Sequence, residues 1–285
     1  KKNYSWQETN DFIYLVSNEL RKVISKGDRC LLISENRPEW FITDLSIMLS
    51  DGITVPAYTT YAENDYNYIL NDCTPSIIFV SNIEQFNKLK NIIKDKKFIK
   101  KIFSFEKLPN VEVEYSNFED LIQNNNKKNL PNYKSLASRK DPSCIIYTSG
   151  TQGNPKGVIL SHGGILNNCE GAIDILKPLL SREQPRFLTW LPLSHSYEHT
   201  VQFVQITVAA RIFYAESIDK LVKNMGDCSP EIMTAVPRFY QNLYQKINAS
   251  FKKAKGLKKK LVDKMLELGL KKIKKEKLTI FEKIQ

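Results

Sequence analysis

Short apolar runs keep returning between residues 29 and 236, and the segments between them place their apolar residues three and four apart. RCLLIS (29–34), ITVPAY (53–58), SIIFVS (76–81) and KKIFSF (100–105) have the length and composition of strands. Phe12, Leu15, Val16, Leu20, Val23 and Ile24 follow helical spacing, as do residues 64–71, and Pro38 stands where a helix over 39–49 would begin. Strands with no polar alternation must be covered on both faces, and crossover helices supply that cover. The rhythm therefore predicts an α/β fold with doubly wound, mostly parallel sheets. After a polar connector over 123–139 it resumes with PSCIIYTS (142–149), VILS (158–161), RFLTWLP (186–192), RIFYAE (211–216) and EIMTAV (231–236). Everything beyond Pro237 reads as helix. The expected division is a first lobe over 1–139 and a second over 140–285.

Composition removes several classes. A chain of 285 residues, 42% hydrophobic and 26% charged, is globular rather than disordered or fibrous. It contains no apolar run long enough to cross a membrane as a helix. Five widely spread Cys, none in a C-x-x-C pair, argue against a disulfide framework or a Cys-based zinc site and for a cytoplasmic setting. The opening KKNYSWQETN has neither an initiator Met nor the apolar core of a signal peptide, so the chain reads as one entered part-way.

The stretch with most chemistry is Tyr147-Thr148-Ser149-Gly150-Thr151-Gln152-Gly153-Asn154-Pro155-Lys156-Gly157. Its glycines allow successive N–H groups to turn toward one anion. Thr148, Ser149 and Thr151 add hydroxyls, and Lys156 adds a mobile positive charge. The preceding apolar strand would hold the loop at a sheet edge, where open α/β sheets bind ligands. Together these make a polyphosphate cradle. It is neither a Walker A loop, since Pro155 precedes Lys156 and Gly157 follows it, nor a dinucleotide fingerprint.

This loop resembles the signature phosphate loop of the adenylate-forming (AMP-binding) superfamily, with Gln152 in place of a usual second Thr; the Gln amide still offers a donor. GDRCLLISENRPEW (27–40), ITVPAYTTY (53–61), LPLSHSYEH (191–199) and AVPRFYQNLYQKI (235–247) resemble its long-chain fatty-acyl-CoA synthetase branch in order and spacing. The resemblance implies the N-terminal portion of a large adenylate-forming domain. It implies ATP, Mg²⁺ and coenzyme A as the molecules used, and a fatty acid converted to an acyl-adenylate and then to acyl-CoA. ATP binding falls to Thr148, Ser149, Gly150, Thr151, Gln152, Gly153 and Lys156, with Thr148 also a candidate for Mg²⁺. LPLSHSYEH matches the second signature and implies His195 beside the reacting carboxylate, with Tyr197, Glu198 and His199 as acyl-site neighbours. Lys156 and His195 are the catalytic candidates.

His195, Glu198 and His199 also satisfy H-x-x-E-H, a zinc-protease pattern. A metalloprotease has no use for a phosphate loop, and the only other His is His162, so the ligase reading is preferred. The chain stops at LTIFEKIQ, before the family's adenine motif, its Thr-Glu metal motif and its small C-terminal domain. These 285 residues are therefore not expected to be active alone. A non-catalytic nucleotide-binding module, or a ligase for another carboxylic acid, are the alternatives.

Charge is uneven. Between Lys252 and Lys277, twelve Lys face only Asp263, Glu267 and Glu276, a net +9 out of the chain's +11. Leu257, Leu261, Met265, Leu268 and Ile273 interleave with them. This suggests either an amphipathic helix packed on its own domain or a peripheral contact with anionic membrane. No nucleic-acid-binding signature accompanies the charge.

Overall fold

The computed structural model describes residues 3–124, 134–148, 155–179 and 184–274. The chain divides into two units, Lys1–Thr234 and Ala235–Gln285.

In chain order the first unit contains α1 (Trp6–Leu20), β1 (Arg29–Ile33), α2 (Pro38–Leu49), β2 (Ile53–Ala57), α3 (Glu63–Cys73), β3 (Ile77–Val80) and α4 (Ile83–Asn87). These are followed by β4 (Lys101–Ser104), β5 (Ser116–Asn117), α5 (Phe118–Asn124), β6 (Pro142–Thr148), β7 (Lys156–Ser161) and α6 (His162–Leu176). Last come β8 (Arg186–Thr189), α7 (Ser196–Thr207), β9 (Arg211–Tyr214), α8 (Leu221–Cys228) and β10 (Ile232–Met233). Local chemistry marks the helix starts. Ser5 and Glu8 form a reciprocal capping box on α1, Pro38 opens α2, and the Ser161 hydroxyl accepts from Gly164 N–H at the start of α6.

A seven-stranded sheet has the order β5-β4-β3-β1-β2-β6-β7. All its pairs are parallel except β6–β7. The stretch from Thr148 to Lys156 is too short for a parallel crossover, which takes a dozen or more residues, so β7 must return antiparallel. β1 pairs with both β2 and β3, so the strand order reverses there. Alternate residues of β1 and β3 feed two cores. Cys30, Leu32, Ile77 and Phe79 pack with Phe12, Val16, Trp40 and Ile47 of α1 and α2. Leu31, Ile33, Ile78 and Val80 pack with Tyr66, Ile69 and Leu70 of α3 on the other face. This is the double burial that unbroken apolar strands predict.

The first sheet continues past residue 140. β6 hydrogen-bonds to β2, with Thr54 opposite Cys144, so residues 142–161 complete the first sheet. The second sheet, β10-β8-β9, is parallel and begins only at Arg186. The polar stretch over 123–139 precedes β6 in the chain. Its residues 125–133 lie outside the described part. Ser135 Oγ and Leu136 N–H both donate to the Asp51 carboxylate, at 2.6 and 2.7 Å.

The second unit holds α9 (Pro237–Lys252) and α10 (Gly256–Ile273), and neither helix has a buried residue. Tyr240 is exposed, whereas Trp40 of the first unit is fully buried. All five Cys are buried free thiols. Among the described residues no helix is long and apolar enough to cross a membrane.

Candidate functional site

The phosphate-loop sequence runs from the carboxyl end of β6 to the start of β7. Ser149, Gly150, Thr151, Gln152 and Gly153 lie outside the described residues, but the strands at both ends of the stretch are defined. Thr148 is the register partner of Lys156, and Tyr147 that of Gly157. Thr148 and Lys156 are exposed. Among the described residues no ion pair holds the Lys156 ammonium. Gly157 has a packing reason: a Cβ there would stand 2.8 Å from Ile145 Cγ2 and 3.3 Å from the Tyr147 ring. Tyr147 in turn donates its hydroxyl to Asp72 at 2.5 Å, tying β6 to α3. Burial, with Asp72 beside it, pushes the Tyr147 pKa up, so the ring stays neutral and keeps that bond.

The LPLSHSYEH stretch divides in two. His195 is the N-cap of α7 and is exposed. Its Nδ1 accepts from Tyr197 N–H at 3.2 Å, so the neutral ring carries its proton on Nε2, the nitrogen left for a ligand. Tyr197 is also exposed. Glu198 and His199 point the other way and are fully buried, so they do not share a surface with His195 and Tyr197.

His199 Nε2 lies 2.8 Å from Asp44 Oδ2, and both side chains are out of water. The imidazole meets Trp40 edge-on and packs against Phe203. Burial opposes its charged form, but the Asp44 carboxylate at hydrogen-bond distance outweighs that, so the pKa is pushed up to about 10. Glu198 accepts from Thr234 Oγ1 at 2.5 Å. Burial raises its pKa from 4.5 to about 7, against that hydrogen bond. Folding thus favours protonated Glu198. This contribution to stability is fully present below pH 4.5 and is lost as the pH rises through 7. Glu198→Gln should lose less of its urea midpoint between pH 5 and pH 8 than the unsubstituted chain does. Identical pH dependence would show that Glu198 does not titrate in this range.

Further contacts bolt α7 in place. Gln202 Nε2 donates to Gln205 Oε1, Gln205 Nε2 donates to Thr189 Oγ1, and Tyr214 donates its hydroxyl to Gln202 Oε1. Among the described residues no group of three His, Cys, Asp or Glu side chains is placed to hold a metal ion. With His195 at the surface and His199 on Asp44, the H-x-x-E-H pattern has no common metal face. Thr148 offers an exposed hydroxyl oxygen, which suits a hard cation such as Mg²⁺ arriving with phosphates but is a single ligand. A cavity of about 1050 Å³ opens between the starts of α1 and α2 and the strand β9, lined by Tyr4, Trp6, Arg37, Phe41, Arg211 and Phe213 among others. Among the described residues none of the predicted site residues lines it.

Sequence reasoning missed Asn36 and Asp44. The signal for Asp44 was present, as a carboxylate one helical turn from Trp40 and Met48 in an apolar stripe. Asn36 lay inside the 27–40 segment, which was read for its family resemblance.

A phosphate-loop hairpin at the carboxyl edge of a doubly wound parallel sheet, joined to a smaller parallel sheet, is the architecture of the N-terminal domains of adenylate-forming enzymes. An anthranilate CoA ligase, AuaEII, solved with anthranoyl-AMP, shares the fold with a TM-score of 0.74 at 21% identity, over 84% of this chain and 46% of that one. The chain belongs to the AMP-binding enzyme family, whose model matches residues 1–278. It is 28% identical over 275 residues to long chain acyl-CoA synthetase 3 of Arabidopsis thaliana, covering 90% of this chain and 41% of that protein. It is 28% identical over 239 residues to fatty acyl-CoA synthetase A of Dictyostelium discoideum, covering 79% and 34%. The chain thus spans between a third and two-fifths of the length of these relatives.

Proposed function

We propose that this chain serves ATP-dependent activation of a long-chain fatty acid, within the polypeptide that carries it. A carboxylate oxygen would attack the α-phosphorus of ATP, breaking its bond to the bridging oxygen and releasing pyrophosphate. The coenzyme A thiolate would then attack the acyl carbonyl, with AMP leaving. Charge accumulates on phosphate oxygens in the first step, so preplaced cations and N–H donors lower its barrier. The observation that carries this reading is the hairpin, with Thr148 opposite an exposed Lys156 at the mouth of the glycine loop. Mg²⁺, when bound, supplies positive charge to the phosphates, and Thr148 is the described residue that would touch it. His195, with its Nε2–H free, would donate to the reacting carboxylate or phosphate oxygen. Likeness to long-chain acyl-CoA synthetases supports the fatty acid as substrate.

The test is acid-dependent ATP–pyrophosphate exchange by the natural polypeptide carrying these residues and by the 285-residue chain, with palmitate, octanoate, benzoate and mixed amino acids. Exchange with palmitate supports the proposal. Exchange with another acid keeps the chemistry and replaces the substrate. No exchange with any acid, in folded protein with Mg²⁺, points to a non-catalytic nucleotide-binding relative.

A peripheral membrane contact through Lys252–Lys277 belongs to the same proposal. Leu257 is 75% exposed and Ile273 79%, with Leu261, Met265, Leu266 and Leu270 also exposed among the lysines of α10. Apolar side chains flanked by cations suit an anionic lipid surface, where each Lys adds about 1 kcal/mol. Neutralising Lys255, Lys258, Lys260 and Lys272 to Gln should weaken sedimentation with phosphatidylglycerol-containing vesicles more than tenfold, roughly, while neutral vesicles bind little. Undiminished binding by the variant would refute the contact.

A further inference from the structure

We propose that Asn36 is a positioning residue that holds His195 in its working place. The proposal rests on the ligase reading above. Asn36 lies just after β1, where the strand order of the first sheet reverses. Its amide reaches across to the segment leaving β8: Nδ2 donates to Leu191 C=O at 2.7 Å, and Oδ1 accepts from Leu193 N–H at 3.1 Å. One planar amide thus grips both sides of the turn at Pro192, whose carbonyl accepts from His195 N–H at 3.0 Å.

The surroundings make this grip rigid. The Leu193 side chain is buried in the core that contains Trp40, Phe79 and Phe103. Arg37, beside Asn36, is paired with Glu39 and Glu106. At the far end of the same segment, His199 is held by Asp44 of α2. Residues 191–199 are therefore fixed at both ends by the loop and helix that follow β1, and His195 stands between the two anchors. Few side chains can replace Asn here. The grip needs one donor and one acceptor in a single short planar group. Asp would face the Leu191 carbonyl with like charge, and Ala would leave both backbone groups without their partner.

Asn36→Ala and Asn36→Gln would be compared with the unsubstituted natural polypeptide. The readouts are palmitate-dependent ATP–pyrophosphate exchange, thermal unfolding, and hydrogen exchange at the Leu193 amide. Asn36→Ala should lower kcat about 30-fold, because a displacement of about an ångström at the reacting group costs that much or more. The KM values for ATP and palmitate should stay within about threefold, since Asn36 touches neither substrate. Leu193 should lose its amide protection, while β8 keeps its own. Asn36→Gln, with both groups one methylene further out, should fall between the two. An unchanged kcat would overturn the proposal. So would a loss that tracks the unfolded fraction and vanishes on cooling, or full Leu193 protection in Asn36→Ala. Absence of exchange in the unsubstituted protein would instead remove the ligase reading, and with it the catalytic role, while amide protection would still report whether the grip exists.

Discussion

Lys156→Ala should lower fatty-acid-dependent ATP–pyrophosphate exchange by about 10²–10³-fold, the usual loss when one preplaced donor to a developing anion is removed. The reason is positional. Lys156 is the first residue of β7, opposite Thr148 across a hairpin of fixed register. Its ammonium therefore starts from the rim of the phosphate loop rather than from a mobile segment. Because the side chain is exposed, the substitution should change stability by no more than about 0.5 kcal/mol. A large kinetic loss in a normally stable protein is the expected pattern. Lys156→Arg should recover part of the rate, because charge is retained but the planar guanidinium is bulkier than an ammonium. A Lys156→Ala enzyme within about threefold of the unsubstituted rate would displace the proposed site from this hairpin.

The second large effect concerns stability. Asp44→Ala or His199→Ala should each cost about 3–5 kcal/mol, since either leaves a charge buried without its partner. Urea unfolding measures this directly. Replacing both at once should cost clearly less than the sum, because the pair interacts across 2.8 Å. The pH dependence has a defined sign. The folded imidazole keeps its proton up to about pH 10, against 6.5 for the ordinary group. The pair's contribution is thus fully present below about pH 6.5 and is lost as the pH rises through 10. Additive single losses, or a stability flat across that window, would mean that the two groups are not an ion pair.

These two results separate the roles of neighbouring motif residues. In sequence, His195 and His199 lie four apart and look like equivalent candidates. In the fold, one caps a helix at the surface and the other closes a core ion pair 155 positions from its partner. The same helix start produces both outcomes, because α7 is tied to α2 through His199 and to the second sheet through Gln202 and Gln205. Its N-cap, His195, looks outward, and His199 one turn on is covered by Trp40.

Much was legible from local pattern. Strand positions followed from short apolar runs and helix positions from a period of 3.6. Double burial followed from strands without polar alternation. Each of these depends on residues within a few positions of one another, so the chain by itself determined them. The membership of β6 in the first sheet, the grip of Asn36 on Leu191 and Leu193, and the pairing of Asp44 with His199 were decided only by tertiary structure. Each joins residues far apart in the chain, and no local propensity records which distant backbone amide or carboxylate will be brought within 3 Å, roughly the reach of a hydrogen bond.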